Sequence, residues 1–167
     1  MISGVISNSE VLNNLQADSI GAGGIYTEGT SLIVNCTIAG NVVVCTNNLP
    51  RGGGIYAYRN GNTIIDNCVI YGNAITNGWG GGVYLESKTL RNSLIYANNA
   101  RYGGGVLQSG KTNCNPEIQN CTIVSNYGYM GAGGLRTVCD YLSTISVENV
   151  IAYYNTSDNI YSNLYFF

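Results

Sequence analysis

Apolar residues in this chain come in short runs, and two kinds of run alternate. One kind follows a glycine block: Ile25-Tyr26-Thr27, Ile55-Tyr56-Ala57 and Val83-Tyr84-Leu85. The other surrounds an asparagine: Leu32 to Ile38, Thr63 to Ile70, Thr89 to Ile95, Glu117 to Ile123 and Thr144 to Ile151. Both are rich in β-branched and aromatic residues. No segment keeps a helical apolar period over three turns, so the pattern predicts short strands and no helix.

The runs recur with a period. Gly52-Gly53-Gly54-Ile55-Tyr56 returns as Gly80-Gly81-Gly82-Val83-Tyr84 and Gly103-Gly104-Gly105-Val106-Leu107, with looser copies at Gly23-Gly24 and Gly133-Gly134. The last glycines, Gly24, Gly54, Gly82, Gly105 and Gly134, are spaced by 30, 28, 23 and 29 residues. The asparagines that close the other motif, Asn8, Asn41, Asn73, Asn98, Asn126 and Asn155, are spaced by 33, 32, 25, 28 and 29. The two series interleave without a miss. A repeat of this length made only of strands and turns reads as a solenoid, with neighbouring coils about 4.8 Å apart and equivalent residues stacked along the axis.

Stacking turns the repeat into columns. Ile33, Ile65, Leu90, Ile118 and Val147 make one apolar column, Cys36, Cys68, Ser93, Cys121 and Val150 a second, and Ile38, Ile70, Ile95, Ile123 and Ala152 a third. All three are expected to face inward. Two asparagine columns need another reason. Asn35, Asn67, Asn92, Asn120 and Asn149 stand where the inward alternation slips, which predicts a corner. There asparagine tolerates a left-handed backbone, and its amide can bond to the amides above and below. Asn41, Asn73, Asn98, Asn126 and Asn155 are read the same way, both columns being structural.

Composition narrows the chemistry. Of 167 residues only 10% are charged, His is absent, and the net charge is −2. A Ser-His-Asp triad and a His general base are thereby excluded, six cysteines without C-x-x-C spacing argue against a zinc site, and no basic footprint calls for nucleic acid. No run reaches the ~18 apolar residues of a membrane-spanning helix, and Met1-Ile2-Ser3-Gly4 carries no basic signal-peptide start. No cofactor or metal is expected. Stacking sets Asp66 and Arg91 side by side, as an ion pair or as catalytic candidates. It also sets Glu28 and Glu86 two coils apart with Tyr58 between, read as surface carboxylates. Tyr26, Tyr56 and Tyr84 follow inward residues, so they are expected to point outward as an exposed strip that can bind sugar or protein or merely stabilise the sheet. Cys114 and Cys139, nine and five residues after their glycines on adjacent coils, are candidates for a disulfide.

The alternation of Gly-Gly-Gly-Ile-Tyr with Asn-Cys-x-Ile-x-x-Asn resembles right-handed parallel β-helix repeat proteins of the pectate-lyase-like superfamily. Within it, Ile38-Ala39-Gly40-Asn41, Ile70-Tyr71-Gly72-Asn73 and Ile95-Tyr96-Ala97-Asn98 look like the second block of polymorphic outer-membrane-protein repeats, with Ile in place of that family's Phe. The resemblance runs from Ile2 to Tyr161. It implies one all-β domain over residues 1–167, a right-handed β-helix of about five to six coils, uncapped at both ends and cut from a longer repeat protein, with Asp158-Asn159-Ile160-Tyr161 opening a further coil. It also implies an extracellular or cell-surface location. The function that ranks first is a non-catalytic, adhesin-like scaffold for a glycan or surface protein, with flanking coils or a second copy as further partners. The alternative is a fragment of a polysaccharide lyase or hydrolase using Asp66 and Arg91.

Overall fold

In a computed structural model, the residues described are 4–17, 21–45, 49–86, 88–110, 114–140, 142–158 and 162–166. They form strands and turns and no helix. The expected further coil falls, from Asn159 to Tyr161, outside these residues.

Each coil carries four strands, where the sequence pattern predicts two. One full coil runs Ile64–Asp66, Val69–Tyr71, Ala74–Ile75 and Val83–Leu85. The long asparagine-centred run is thus two strands broken at Asn67, and a further short strand lies in the spacer before the glycines. Equivalent strands stack into four six-stranded sheets, taken here as first to fourth in that order. Every pairing is parallel and joins strands of successive coils, as in Leu32↔Ile64, Val69↔Leu94, Ala74↔Asn99 and Tyr56↔Tyr84. The architecture is a parallel β-solenoid.

The apolar columns occupy the lumen. Ile33, Ile65, Leu90 and Ile118 are paired in register and fully buried, as are Ile38, Ile70, Ile95 and Ile123. Each such side chain contributes roughly 1.5–3 kcal/mol when removed from water. The cysteine column is buried among them. It does more than fill space: Cys36, Cys68 and Cys121 each donate from Sγ to the carbonyl two residues back, at 3.2, 3.3 and 3.2 Å. Ser93 Oγ makes the same bond to the Arg91 carbonyl at 2.6 Å, which explains why a hydroxyl substitutes for a thiol there. Burial pushes the Cys68 and Cys121 thiols up to about 11.

The two asparagine columns differ in kind. Asn35, Asn67, Asn92, Asn120 and Asn149 have φ between 51° and 55°, the expected left-handed corner. Their exposed amides bond from coil to coil, Asn67 to Asn35 at 2.8 Å and Asn120 to Asn92 at 3.2 Å. The second column is buried, and the left-handed residue is the one before it: Gly40, Gly72, Ala97, Ser125 or Tyr154. Here Asn98 donates from Nδ2 to the carbonyls of Ile70 and Tyr96 and to Asn126 Oδ1, all at 3.0 Å. Its own Oδ1 accepts from the backbone N–H and Nδ2 of Asn73, both at 3.0 Å. The column continues to Asn14 and Asn163. Asn8 therefore belongs to the exposed column, where Asn35 donates to it at 3.2 Å. The first coil has asparagine at both sites, and the first step of the buried column runs from Asn14 to Asn41, 27 residues.

Within the glycine block the three residues serve two purposes. Gly52 and Gly80 turn the chain at φ +72° and +70°. The later glycines allow close approach between coils: a Cβ on Gly54 would lie 2.7 Å from the Gly82 carbonyl oxygen.

Truncating Asn98 to Ala strands the Asn73 donors and two carbonyls. It is expected to lower the unfolding free energy by about 3 kcal/mol or more. Asn67→Ala, on the exposed column, is expected to lose only about 1–2 kcal/mol, mostly from forcing a left-handed Ala. Urea denaturation of the two variants tests the difference, and equal losses would contradict the distinction between the columns.

Candidate functional site

Side chains leaving the fourth sheet away from the lumen form the column Tyr26, Tyr56, Tyr84, Leu107, Arg136 and Tyr165. The tyrosines point outward as expected. The exposed strip does not follow, and this expectation is corrected: Tyr26 is 47% exposed, but Tyr56 and Tyr84 are 3% and 0%. A second layer covers them. The residue just before each glycine block, Arg51, Trp79 and Tyr102, pairs with its neighbour across coils to make an overlying column. The left-handed glycine that follows folds each of these residues back over the sheet. Trp79 stacks on Tyr84 with ring centres 6.1 Å apart and planes at 16°. The Arg51 guanidinium lies 5.8, 5.6 and 5.4 Å from the rings of Tyr56, Trp79 and Tyr84.

Beneath this layer Glu86 is not the surface carboxylate expected. It is 2% exposed, with Tyr56 donating to Oε2 at 3.2 Å and Tyr84 to Oε1 at 3.1 Å. Burial, then the negative Glu86, pushes both phenols well above their ordinary pKa, so they remain neutral donors. The cluster is a closed structural network.

Two hollows flank it. One, of about 570 Å³, is bordered by Tyr26, Tyr58, Glu28 and Arg51. The other, of about 260 Å³, is bordered by Trp79, Tyr84, Tyr102 and Arg136. The sequence reading missed Arg51, Trp79 and Tyr102. Their signal was a large aromatic or cationic residue directly ahead of three consecutive glycine blocks. It also missed that the second sheet presents a stacked pair, Tyr71 and Tyr96, with centres 4.9 Å apart.

Asp66 and Arg91 are in register, and Arg91 grips one carboxylate oxygen from Nε at 2.9 Å and Nη2 at 2.8 Å. Asn92 donates to the other oxygen at 2.8 Å, so the carboxylate replaces an amide in the exposed column. Both oxygens of the acid are engaged. Among the described residues no three His, Cys, Asp or Glu side chains converge to hold a metal ion, and no helix is long and apolar enough to cross a membrane. The disulfide expectation is corrected as well. Cys114 and Cys139 are free thiols, because Cys139 pairs with Gly110 and Cys114 lies four residues further along. Cys139 instead donates to the Ser143 carbonyl at 2.8 Å.

Hydrogen bonds from Arg91 hold the Asp66 carboxyl below its usual range. A depressed folded pKa stabilises the fold above the unfolded pKa, and that contribution is lost as pH falls through the folded value. In a carbon-detected NMR titration Asp66 is expected to protonate below ordinary aspartates, and Arg91→Met to shift its midpoint upward. An unchanged midpoint would refute the pairing.

Among curated proteins and solved structures no significant match to the chain was found. The family model described as "Right handed beta helix region" matches residues 3–164, nearly the whole length of the solenoid. The chain belongs to the right-handed β-helix family.

Proposed function

We propose that this chain is a non-catalytic binding scaffold of a secreted or surface protein, adhesin-like, that holds a glycan on the outer face of its fourth sheet. The observation that carries this reading is the open hollow beside Tyr26. There a half-exposed tyrosine and Tyr58 stand 6.3 Å apart, with Glu28 and Arg51 at the rim. A ring face with adjacent donors and acceptors suits a sugar, whose apolar face packs on the aromatic while its hydroxyls reach the charged groups. The rigid β-core supports it, since a site on paired strands is held more precisely than one on loops.

The enzymatic alternative draws less support. Asp66 is committed to Arg91 and Asn92. Glu86, the acid nearest the aromatic cluster, is sealed beneath it.

A glycan array should give a signal that falls on the order of tenfold in Tyr26→Ala and stays unchanged in Tyr71→Ala on the second sheet. Retention of full binding by Tyr26→Ala would defeat this placement. Polygalacturonate and related glycans, incubated with and without Ca²⁺, should remain uncleaved. Cleavage abolished by Asp66→Ala would establish the enzyme instead.

A further inference from the structure

The smaller hollow has its own chemistry. Arg136 stands in the outward column of the fourth sheet, in register with Leu107 and Tyr165. Its guanidinium carbon lies 4.5 Å from the Tyr102 ring and 5.5 Å from the Tyr165 ring. Its Nε is buried and has no hydrogen-bond partner. Among the described residues it is in no ion pair; the pair found there joins Asp66 to Arg91. A half-buried guanidinium has given up much of its water, and aromatic faces replace only part of that solvation. What such a fork lacks is a carboxylate, whose two oxygens match its geometry.

The walls decide what carries the carboxylate. Trp79 and Tyr102 offer rings, with the buried Tyr84 behind them, and Leu107 and Val138 offer aliphatic surface. Polar groups are few. The Tyr84 hydroxyl is already bonded to Glu86 and to the Ser109 hydroxyl, which leaves the Tyr102 phenol besides Arg136. A sugar ring placed here would bury several hydroxyls without partners, each at a cost. An aromatic ring has no such demand and packs well edge or face to the Trp79 and Tyr102 rings. At about 260 Å³ the space is below the ~300–1,000 Å³ of sites for drug-sized ligands, which suits a single ring.

We propose that the hollow between Trp79, Tyr102 and Arg136 binds a small single-ring aromatic carboxylate, of which benzoate is the simplest. Its carboxylate pairs with Arg136 and its ring lies between Trp79 and Tyr102. The idea rests on reading this outer face as a binding surface, but it concerns a different hollow with a different ligand.

Trp79 is the single tryptophan in the sequence, so the emission comes from one residue, in the wall of this hollow. Titrating the full chain with benzoate is expected to change Trp79 emission saturably. Benzamide, which keeps the ring and lacks the charge, is expected to bind weaker by on the order of tenfold or more, and Arg136→Gln to weaken benzoate by a similar factor. Glucuronate should give no saturable change. The proposal is overturned if benzoate gives none, if benzamide or the Arg136→Gln protein matches benzoate with the native protein, or if glucuronate binds more tightly. Should Arg136→Gln fail to fold, the benzoate–benzamide comparison on the native chain still decides. Failure here leaves the Tyr26 dependence of glycan binding standing, and loss of that dependence leaves the Trp79 signal standing.

Discussion

The asparagine column from Asn14 through Asn98 to Asn163, buried from Asn41 to Asn155, keeps the coils in step. Apolar columns alone would tolerate sliding, because one isoleucine packs on its neighbour about as well as on the next. An amide buried at the corner cannot slide. It must find the acceptor one coil ahead and the carbonyl one coil behind, or leave donors unsatisfied in a water-free interior. The repeat spacing can therefore vary from 23 to 32 residues in the sequence while the register stays in place, because extra residues are accommodated in the spacers and connections between anchored strands.

Close stacking at the glycine block follows from the same constraint. Coils held in register leave no room for a Cβ on Gly54, which faces the Gly82 carbonyl, or on Gly82, which faces that of Gly105. The glycine ahead of them turns the chain left-handed, which throws Arg51 and Trp79 across the outer face of the sheet. The structural requirement of the corner thus generates an outer aromatic and cationic layer. The site candidates draw on that layer and on the sheet beneath it together.

In a chain with so few charges, most of those described are already committed. Glu86 is consumed by two phenols and Asp66 by one arginine, and Arg51 shares its charge among three rings. Among the described residues Arg136 has aromatic rings beside it and no ion pair. Tyr26, at the other end of the column, is left with an open ring. These two unfinished positions mark the two hollows, and they call for different ligands: hydroxyl-rich beside Tyr26, apolar and anionic beside Arg136.

The sequence by itself determined the solenoid, its lumen columns and the level at which residues meet. Ile65 beside Leu90 and Asp66 beside Arg91 could be read by counting, because equivalent positions of a repeat stack and strand side chains alternate with a period of two. It also located the left-handed corner at Asn67 and its equivalents. Tertiary structure decided everything that depends on a segment folding back. Tyr56 and Tyr84 alternate outward as counted, yet they are buried because Trp79 and Arg51 return over them from a turn whose direction no periodicity encodes. Cys114 and Cys139 sit on neighbouring coils but out of register, since the connection between them departs from the repeat. Counting assigns which way a side chain points; what covers it is settled only when non-repeating residues pack across coils.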